Sequence, residues 1–180
     1  MRVIGGEWKG RVFKVDKNFA GRPTTDYAKE ALFNVLNNYM EWDEVEEAWD
    51  LFSGTGALSL ELASRGVKRV ISVEGNMRNA RSLQKLRTDF GALQLQVVAS
   101  DVKAFVAKQT KLPKVILADP PYDLPWLTEL PGLLFEKDAS GLEIMVIEHP
   151  KEINFEGTPH FWQRRSYGHV HFSFFKTEQA

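Results

Sequence analysis

The chain has 180 residues, no cysteine and a formal net charge of −1 at pH 7, which excludes disulfides, thiolate zinc sites and cysteine nucleophiles and disfavours binding to nucleic acid through net charge alone. No apolar run approaches the roughly 18 residues that cross a bilayer, and residues 1–6 lack the apolar stretch of a signal peptide, so we expect a soluble cytoplasmic protein. The length predicts one domain over 1–180, with a hairpin and helix in 1–40 and a sheet in 45–176.

Basic residues are concentrated near the start of the chain. Residues 1–29 contain seven basic and three acidic side chains, whereas the remainder contains 16 basic and 21 acidic ones. A basic arm on a mildly acidic body is suited to phosphate contacts, although a merely solvated segment gives the same pattern. The candidate contacts are Arg2, Lys9, Arg11 and Arg22.

Two elements are predicted before the main sheet. The runs RVIGG and GRVFKV within residues 2–15 are typical of a small β-hairpin. Apolar residues at helical spacing predict a helix over 25–40, with Thr24 or Thr25 as its N-cap. These apolar positions are Ala28, Leu32, Val35 and Tyr39.

From residue 46 onward, strand-like apolar runs alternate with helical stretches. Such alternation predicts an α/β fold with a mostly parallel sheet covered by helices on both faces, and ligands of such folds bind at the carboxyl ends of the strands. The alternating segments, starting with a strand, are 46–52, 57–65, 69–74, 76–90, 93–100, 102–109, 114–119, 126–136 and 142–149.

The last segments, FWQRRSY and HVHFSFF, flank Gly168 and predict a terminal antiparallel hairpin. We expect Val170, Phe172 and Phe174 to face inward, with the histidines of this segment and Ser173 on the other face. His169 and His171 are not accompanied by a carboxylate or cysteine pattern, so no metal site is predicted.

The first strand runs into a glycine turn, DLFSGTGALSLE, in residues 50–61. Gly54 and Gly56 let the backbone approach a ligand closely, and Asp50 closes the strand before them. A dinucleotide fingerprint requires a third glycine where Ser59 stands, which disfavours a nicotinamide cofactor. A purely structural glycine turn is the alternative.

Acidic residues follow the second and third strands. Glu74 lies 18 residues after Gly56, a spacing at which a carboxylate accepts hydrogen bonds from both hydroxyls of a ribose. Asp101 is placed to accept a hydrogen bond from an adenine amine while Val102 lies along the ring. The alternatives are a solvated acid at Glu74 and a helix cap at Asp101.

The fourth strand ends in DPPY, residues 119–122. Asp119 and the Pro120 carbonyl are two acceptors for an exocyclic amine of a nucleobase, Pro121 removes a competing N–H, and Tyr122 offers a face for stacking. Trp126 either flanks the base or packs under this loop. A simple turn is the alternative, but the position behind a buried strand favours a functional motif.

The order of these motifs resembles the class I S-adenosylmethionine-dependent amino-methyltransferases. More closely, the chain resembles the RsmD family, which methylates N2 of a guanine in small-subunit ribosomal RNA, over residues 2–176. The resemblance implies a seven-stranded Rossmann-like sheet with an antiparallel last strand. The stretches that carry it are RVIGGEWKGR, RPTTDYAKEALFNVL, DLFSGTGALSLE, DPPY and RRSYGHVHFSFF.

The resemblance also implies S-adenosyl-L-methionine as cofactor and small-subunit RNA, within a partly or fully assembled 30S subunit, as partner. Its site residues are then Asp119, Pro120, Pro121 and Tyr122 for the base, and Asp50, Ser53, Gly54, Thr55, Gly56, Glu74, Asp101 and Val102 for the cofactor. Adenine-N6 methylation of DNA or RNA stays open, because two acceptors do not distinguish one exocyclic amine from another. A reductase and a non-catalytic RNA-binding module are disfavoured.

Overall fold

A seven-stranded sheet forms the centre of the computed structural model, which describes residues 1–15, 19 and 25–177. The strand order is β3-β2-β1-β4-β5-β7-β6. Strands β1 to β5 pair in parallel, whereas β7 is antiparallel to both β5 and β6. The mostly parallel sheet with an antiparallel end is therefore confirmed. The strands are β1 Ala48–Leu51, β2 Val70–Glu74, β3 Leu95–Ala99, β4 Val115–Ala118, β5 Ile144–His149, β6 Phe161–Tyr167 and β7 Val170–Phe175.

Helices cover both faces of the sheet, as the alternation predicts. The cluster that contains Leu32, Leu60 and Phe90 fills one face, and the cluster that contains Phe105 and Leu134 fills the other. Within the part of the chain that the structure describes, no helix is long and apolar enough to cross a membrane. The helices are α1 Asp26–Leu36, α2 Ala57–Ser64, α3 Met77–Phe90, α4 Val102–Ala107 and α5 Leu130–Phe135.

Helix α1 begins where the cap pattern predicts and ends early. Thr25 Oγ1 accepts the Ala28 N–H at 3.1 Å, which identifies Thr25 as the N-cap. The helix stops at Leu36, so Tyr39, which we expected on its buried face, lies beyond it and is 40% exposed. The prediction of helix up to residue 40 was wrong, because the N–H groups of Asn38 and Tyr39 bond to carbonyls three residues back instead of four and residues 37–39 form a turn.

In the terminal hairpin, β7 is buried on both faces, whereas β6 is half-buried or exposed. Val170, Phe172 and Phe174 face the α2 side as expected, but His171 and Ser173 on the opposite face are buried too. Ser173 Oγ lies 2.8 Å from His149 Nε2, and His149 Nδ1 lies 2.9 Å from the Pro150 carbonyl. Burial lowers the pKa of His149 to about 4, so the ring is neutral and serves packing.

The N-terminal hairpin is reduced to one antiparallel bridge between Arg2 and Val12. It is held to α2 by a buried acid, since Glu61 accepts the Ile4 and Gly5 N–H groups at 2.8 Å each. These bonds fix the backbone of residues 4 and 5 against α2.

Candidate active site

A cavity of about 580 Å³ lies at the carboxyl edge of the sheet, beside β1 and β4. This is the point where the strand order reverses, and α/β sheets bind their ligands there. Its volume is in the range of small-molecule sites, about 300–1,000 Å³. Nine predicted site residues line it, namely Asp50, Ser53, Gly54, Thr55, Glu74, Asp119, Pro120, Pro121 and Tyr122.

The two-residue period of the strands brings three acids into one row. Asp50 pairs in register with Ser72 on one side and Leu117 on the other, and Leu117 pairs with Val146. Two residues further along, Glu74, Asp119 and Glu148 lie at one level on the same face, with neighbouring strands about 4.8 Å apart. The Asp119 N–H continues the ladder with a 3.2 Å bond to the Leu51 carbonyl.

Glu74 organises the glycine turn from its strand end. Its Oε2 accepts the Gly54 N–H at 2.8 Å, and its Oε1 accepts the Asn76 N–H at 2.7 Å. Phe52, at φ 63°, and Gly54, at φ 50°, both adopt the left-handed region on this turn. Strain at a non-glycine residue such as Phe52 is typical of functional loops.

Gly56 has a packing role. It lies at φ 79° as the N-cap of α2, and a Cβ there would clash with Leu83 Cδ2 of α3. It does not line the cavity. The left-handed φ and the contact with α3 both favour glycine at position 56, and the predicted cofactor contact of Gly56 stays a prediction.

Asp50 is the most buried acid of the cavity, at 1% exposure. Ser59 Oγ donates to its Oδ2, and Ser72 Oγ donates in turn to Ser59 Oγ at 2.7 Å. Among the described residues, nothing hydrogen-bonds its Oδ1. Burial raises the pKa of Asp50 to about 7, and the charges of Asp119 and Glu74 add to the increase.

The cavity is strongly acidic. Four carboxylates line it, from Asp50, Glu74, Asp119 and Glu148, and no Lys, Arg or His is present among its described lining residues. Such a cluster favours a cationic ligand. A positive charge reduces the repulsion among the carboxylates and gives Asp50 Oδ1, which has no hydrogen-bond partner among the described residues, a favourable interaction. Across residues 1–15, 19 and 25–177, no three or more His, Asp or Glu side chains are grouped so that they could hold a metal ion.

The DPPY segment forms one rim of the cavity. Pro120 is buried, Pro121 is exposed, and neither carries an N–H. Tyr122 is 36% exposed, and its hydroxyl donates to Glu148 Oε1 at 2.8 Å. The rim therefore combines hydrogen-bond acceptors with an accessible aromatic ring.

Asp101 and Val102 lie outside the lining of this cavity. Asp101 caps α4, with its Oδ1 accepting the Ala104 N–H at 3.0 Å, so the capping alternative is present. Val102 is buried, in the cluster between the sheet and α4. Their contact with an adenine stays a prediction.

The basic candidates are partly placed. Arg2, Lys9 and Arg11 are exposed, whereas Arg22 lies outside the described residues. Arg11 lies 4.0 Å above the Phe90 ring and donates to the Asp89 carbonyl at 3.3 Å. It lines a groove between the N-terminal segment and α3, together with Lys14 and Lys85.

Trp126 lies behind the rim. Its ring centroid is 5.9 Å from that of Phe52, and Lys103 Nζ lies 5.2 Å from the ring. It packs against the apolar cluster on the α4 side, which favours the packing alternative. Arg78, Arg81 and Lys85 are exposed on α3.

Sequence reasoning missed several lining residues. Glu148 was detectable, because the two-residue period of a strand places it on the same face of β5 as Val146, which belongs to the buried cluster on the α2 side. Asn76 and Asn79 at the start of α3 carried no distinctive motif. Neither did Phe19 and Phe52, whose aromatic rings reach the cavity from neighbouring loops.

The chain is similar to known proteins over most of its length. The model of a family described as conserved hypothetical protein 95 matches residues 1–176. Ribosomal RNA small subunit methyltransferase D of Escherichia coli (strain K12) is 30% identical over 163 residues, covering 90% of this chain and 81% of that protein. The solved structure of a hypothetical protein of Thermus thermophilus has a TM-score of 0.81 at 29% identity, covering 98% of this chain and 99% of that one.

A more distant structure shows the fold alone. Precorrin-6y C5,15-methyltransferase of Geobacter metallireducens GS-15 has a TM-score of 0.67 at 13% identity, covering 91% of this chain and 92% of that one. Together with the match over nearly the whole length, the sheet order identifies the class I methyltransferase fold. The chain therefore belongs to the RsmD family.

Proposed function

We propose that the chain transfers a methyl group from S-adenosylmethionine to the N2 amine of a guanine in small-subunit ribosomal RNA. The observation that carries the proposal is that the glycine turn and the DPPY rim line a single acidic cavity. The substrate class follows from the name of the Escherichia coli relative, a ribosomal RNA small subunit methyltransferase.

The lining of the cavity fits this cofactor, which supplies a methyl group already activated on a positively charged sulfur. Asp50 is buried and lacks a partner for Oδ1 among the described residues, and a cation supplies one. In the proposal, Ser53, Gly54 and Thr55 contact the methionine portion and Glu74 holds the ribose. Asp101 and Val102 contact the adenine beyond the edge of the described cavity.

Asp119 and Pro120 hold the reacting amine. The Asp119 carboxylate and the Pro120 carbonyl accept hydrogen bonds from its two N–H groups, which keeps electron density on the nitrogen. Tyr122 stacks on the base. A bound cofactor would supply the methyl group for in-line attack by this amine, and Asp119 and Pro120 would orient the nitrogen toward it. The amine then loses one proton to solvent, so no strong base is required.

The substrate RNA is positioned by basic residues outside the cavity. Arg2, Lys9, Arg11 and Arg22 are proposed to contact phosphates, and the groove that includes Lys14 and Lys85 extends this surface. A folded subunit presents phosphates in fixed positions, which suits a chain with a net charge of only −1. We therefore propose a partly or fully assembled 30S subunit as substrate.

The test is labelled-methyl transfer from S-adenosylmethionine to undermethylated small subunits and to free 16S RNA, followed by digestion and identification of the nucleoside. N2-methylguanosine is expected, with faster transfer to subunits. N6-methyladenosine would replace the proposal by the adenine reaction while keeping the fold and cofactor. Absence of transfer to either RNA, with cofactor binding intact, would overturn the substrate class.

A further inference from the structure

Glu148 occupies a position in the cavity that the DPPY motif does not explain. It lies in β5, is 6% exposed and lines the cavity beside Asp119. Ala118 pairs with Ile147 across β4 and β5, so Glu148 follows at the same level as Asp119 on the adjoining strand. The two residues therefore lie on neighbouring strands, whose backbones are about 4.8 Å apart, and both side chains line the cavity.

Tyr122 fixes the orientation of this carboxylate. Its hydroxyl donates to Glu148 Oε1 at 2.8 Å, which ties the stacking ring and the carboxylate together. The two oxygens of a carboxylate accept about four hydrogen bonds in all. The bond from Tyr122 is therefore compatible with a further bond from Glu148 to a ligand in the cavity.

The rim around the amine site offers acceptors. Asp119 and Glu148 contribute carboxylates, Pro120 contributes a carbonyl, and Pro120 and Pro121 have no N–H to donate. Guanine presents three N–H bonds on its Watson–Crick edge, two from N2 and one from N1. Adenine presents two from N6 beside a lone pair on N1, so its edge would place that lone pair against a carboxylate.

On this chemistry, and resting on the proposed function, we propose that Glu148 accepts the N1–H of the target guanine and thereby selects guanine over adenine. Asp119 and Pro120 recognise an amine in either base, whereas Glu148 recognises the proton beside it. Enzymes that read a base outside the helix do so through this edge. A site that pairs a specific N–H rejects analogues without it by about 10⁴-fold or more.

The experiment compares guanine with adenine at the methylated position. Once labelled transfer has located that position, small subunits are reconstituted from 16S transcripts that carry G or A there, and kcat/KM is measured for each. The wild-type protein is expected to prefer G by about 10⁴-fold. Glu148→Gln is expected to lower this preference by about 100-fold, because the amide can donate to N1 of adenine.

Three variants separate base reading from other roles. Glu148→Asp retracts the charge without creating a donor, so it is expected to slow methylation of G without a gain on A. Tyr122→Phe removes the bond that orients Glu148 but keeps the ring and the carboxylate, so it is expected to lower the preference for G less than Glu148→Gln does. Glu156→Gln, on an exposed loop, is the matched control and is expected to behave as wild type.

The outcomes distinguish this inference from the function on which it rests. Wild-type methylation of G together with an unchanged G-to-A ratio in folded, cofactor-binding Glu148→Gln overturns the inference and keeps the proposed function. A gain on A in Glu148→Asp as large as the gain in Glu148→Gln shows that no donor to N1 of adenine is needed, which also overturns it. Preference of the wild-type protein for adenine overturns both.

Discussion

Two buried acids lie at helix α2, and their surroundings are opposite. Glu61 belongs to the helix, whereas Asp50 packs against its first turn. Glu61 accepts two backbone N–H groups at 2.8 Å, pairs with Arg65 at 2.9 Å and lies 3.6 Å from Lys29 Nζ. Asp50 receives one hydroxyl, from Ser59, and lies among other acids. One acid is surrounded by donors and cations, and the other is surrounded by like charges.

This difference separates a structural acid from one available to a ligand. Buried charges persist when they are paired and hydrogen-bonded, and Glu61 meets that condition within the fold by joining the N-terminal segment to α2. Asp50 does not meet it among the described residues, so its burial is costly until a cation arrives. The following predictions test this contrast, beginning with the largest effect.

The largest effect is expected at the reacting amine. Asp119→Ala removes a proposed acceptor of that amine and should lower kcat by about 10²–10³-fold, the usual cost of one preorganised polar contact in a reaction. Cofactor affinity, measured by calorimetry, should stay within a few-fold of wild type. Substantial turnover by this variant would show that Asp119 does not hold the amine.

Next in size is the loss of stability at Glu61. Glu61→Gln leaves buried Lys29 with only the partly exposed Asp26, 3.8 Å from Nζ, as counter-charge, and removal of one partner from a buried pair costs about 3–5 kcal/mol. Burial already lowers the pKa of Lys29, so the loss is expected to be partly offset by its deprotonation at high pH. The measurement is urea unfolding from pH 6 to 10.

The matched control is Glu46→Gln, which breaks an exposed pair with Lys68 and should cost no more than about 1 kcal/mol. Cofactor affinity should not change in either variant at temperatures where the protein is folded. Equal stability losses in the two variants would contradict a structural role for Glu61.

Asp50→Asn should have the opposite effects from Glu61→Gln. It should stabilise the protein and weaken cofactor binding about tenfold. The pKa of Asp50 is raised to about 7, above its unfolded value of about 3.9, so the folded state retains a proton that the unfolded state loses. Wild-type stability should therefore fall as pH rises from about 4 to 7, and this contribution should be absent in the variant. Thermal unfolding across this range measures it.

The same ionisation gives a second readout. Affinity of the wild-type protein for S-adenosylmethionine should increase from pH 6 to 8, as Asp50 becomes charged, and Asp50→Asn should be flatter over that range. An identical pH profile in both proteins would show that another group, and not Asp50, receives the positive charge.

The smallest effect is expected outside the cavity. Arg11→Ala should raise KM for subunits a few-fold and lower the salt dependence of binding by about one unit of slope, as expected for one phosphate contact. Arg69→Ala, at the opposite end of β2 in a pair with Glu47, is the control. Equal salt slopes in the two variants would remove Arg11 from the RNA surface.

Much of the fold was predictable because local patterns and tertiary packing agree. The glycine turn, the Thr25 cap and the DPPY stretch each depend on neighbours within a few residues, and all three occur where expected. Helix α1 was predicted too long, because apolar spacing continued to Tyr39 although its side chain is partly exposed. Burial of the second face of β7 was also unexpected, because His171 and Ser173 on that face are polar and such residues predict exposure.

By itself, the sequence determined the β-α alternation, the order of the motifs and the candidate amine site, since side-chain period and turn chemistry are local properties. Only the tertiary structure decided which acids share a cavity, because strand register places Glu74, Asp119 and Glu148 in one row. It also decided that Asp50 and Glu61 differ in kind. A carboxylate's role depends on the donors and charges around it, and distant parts of the chain supply these.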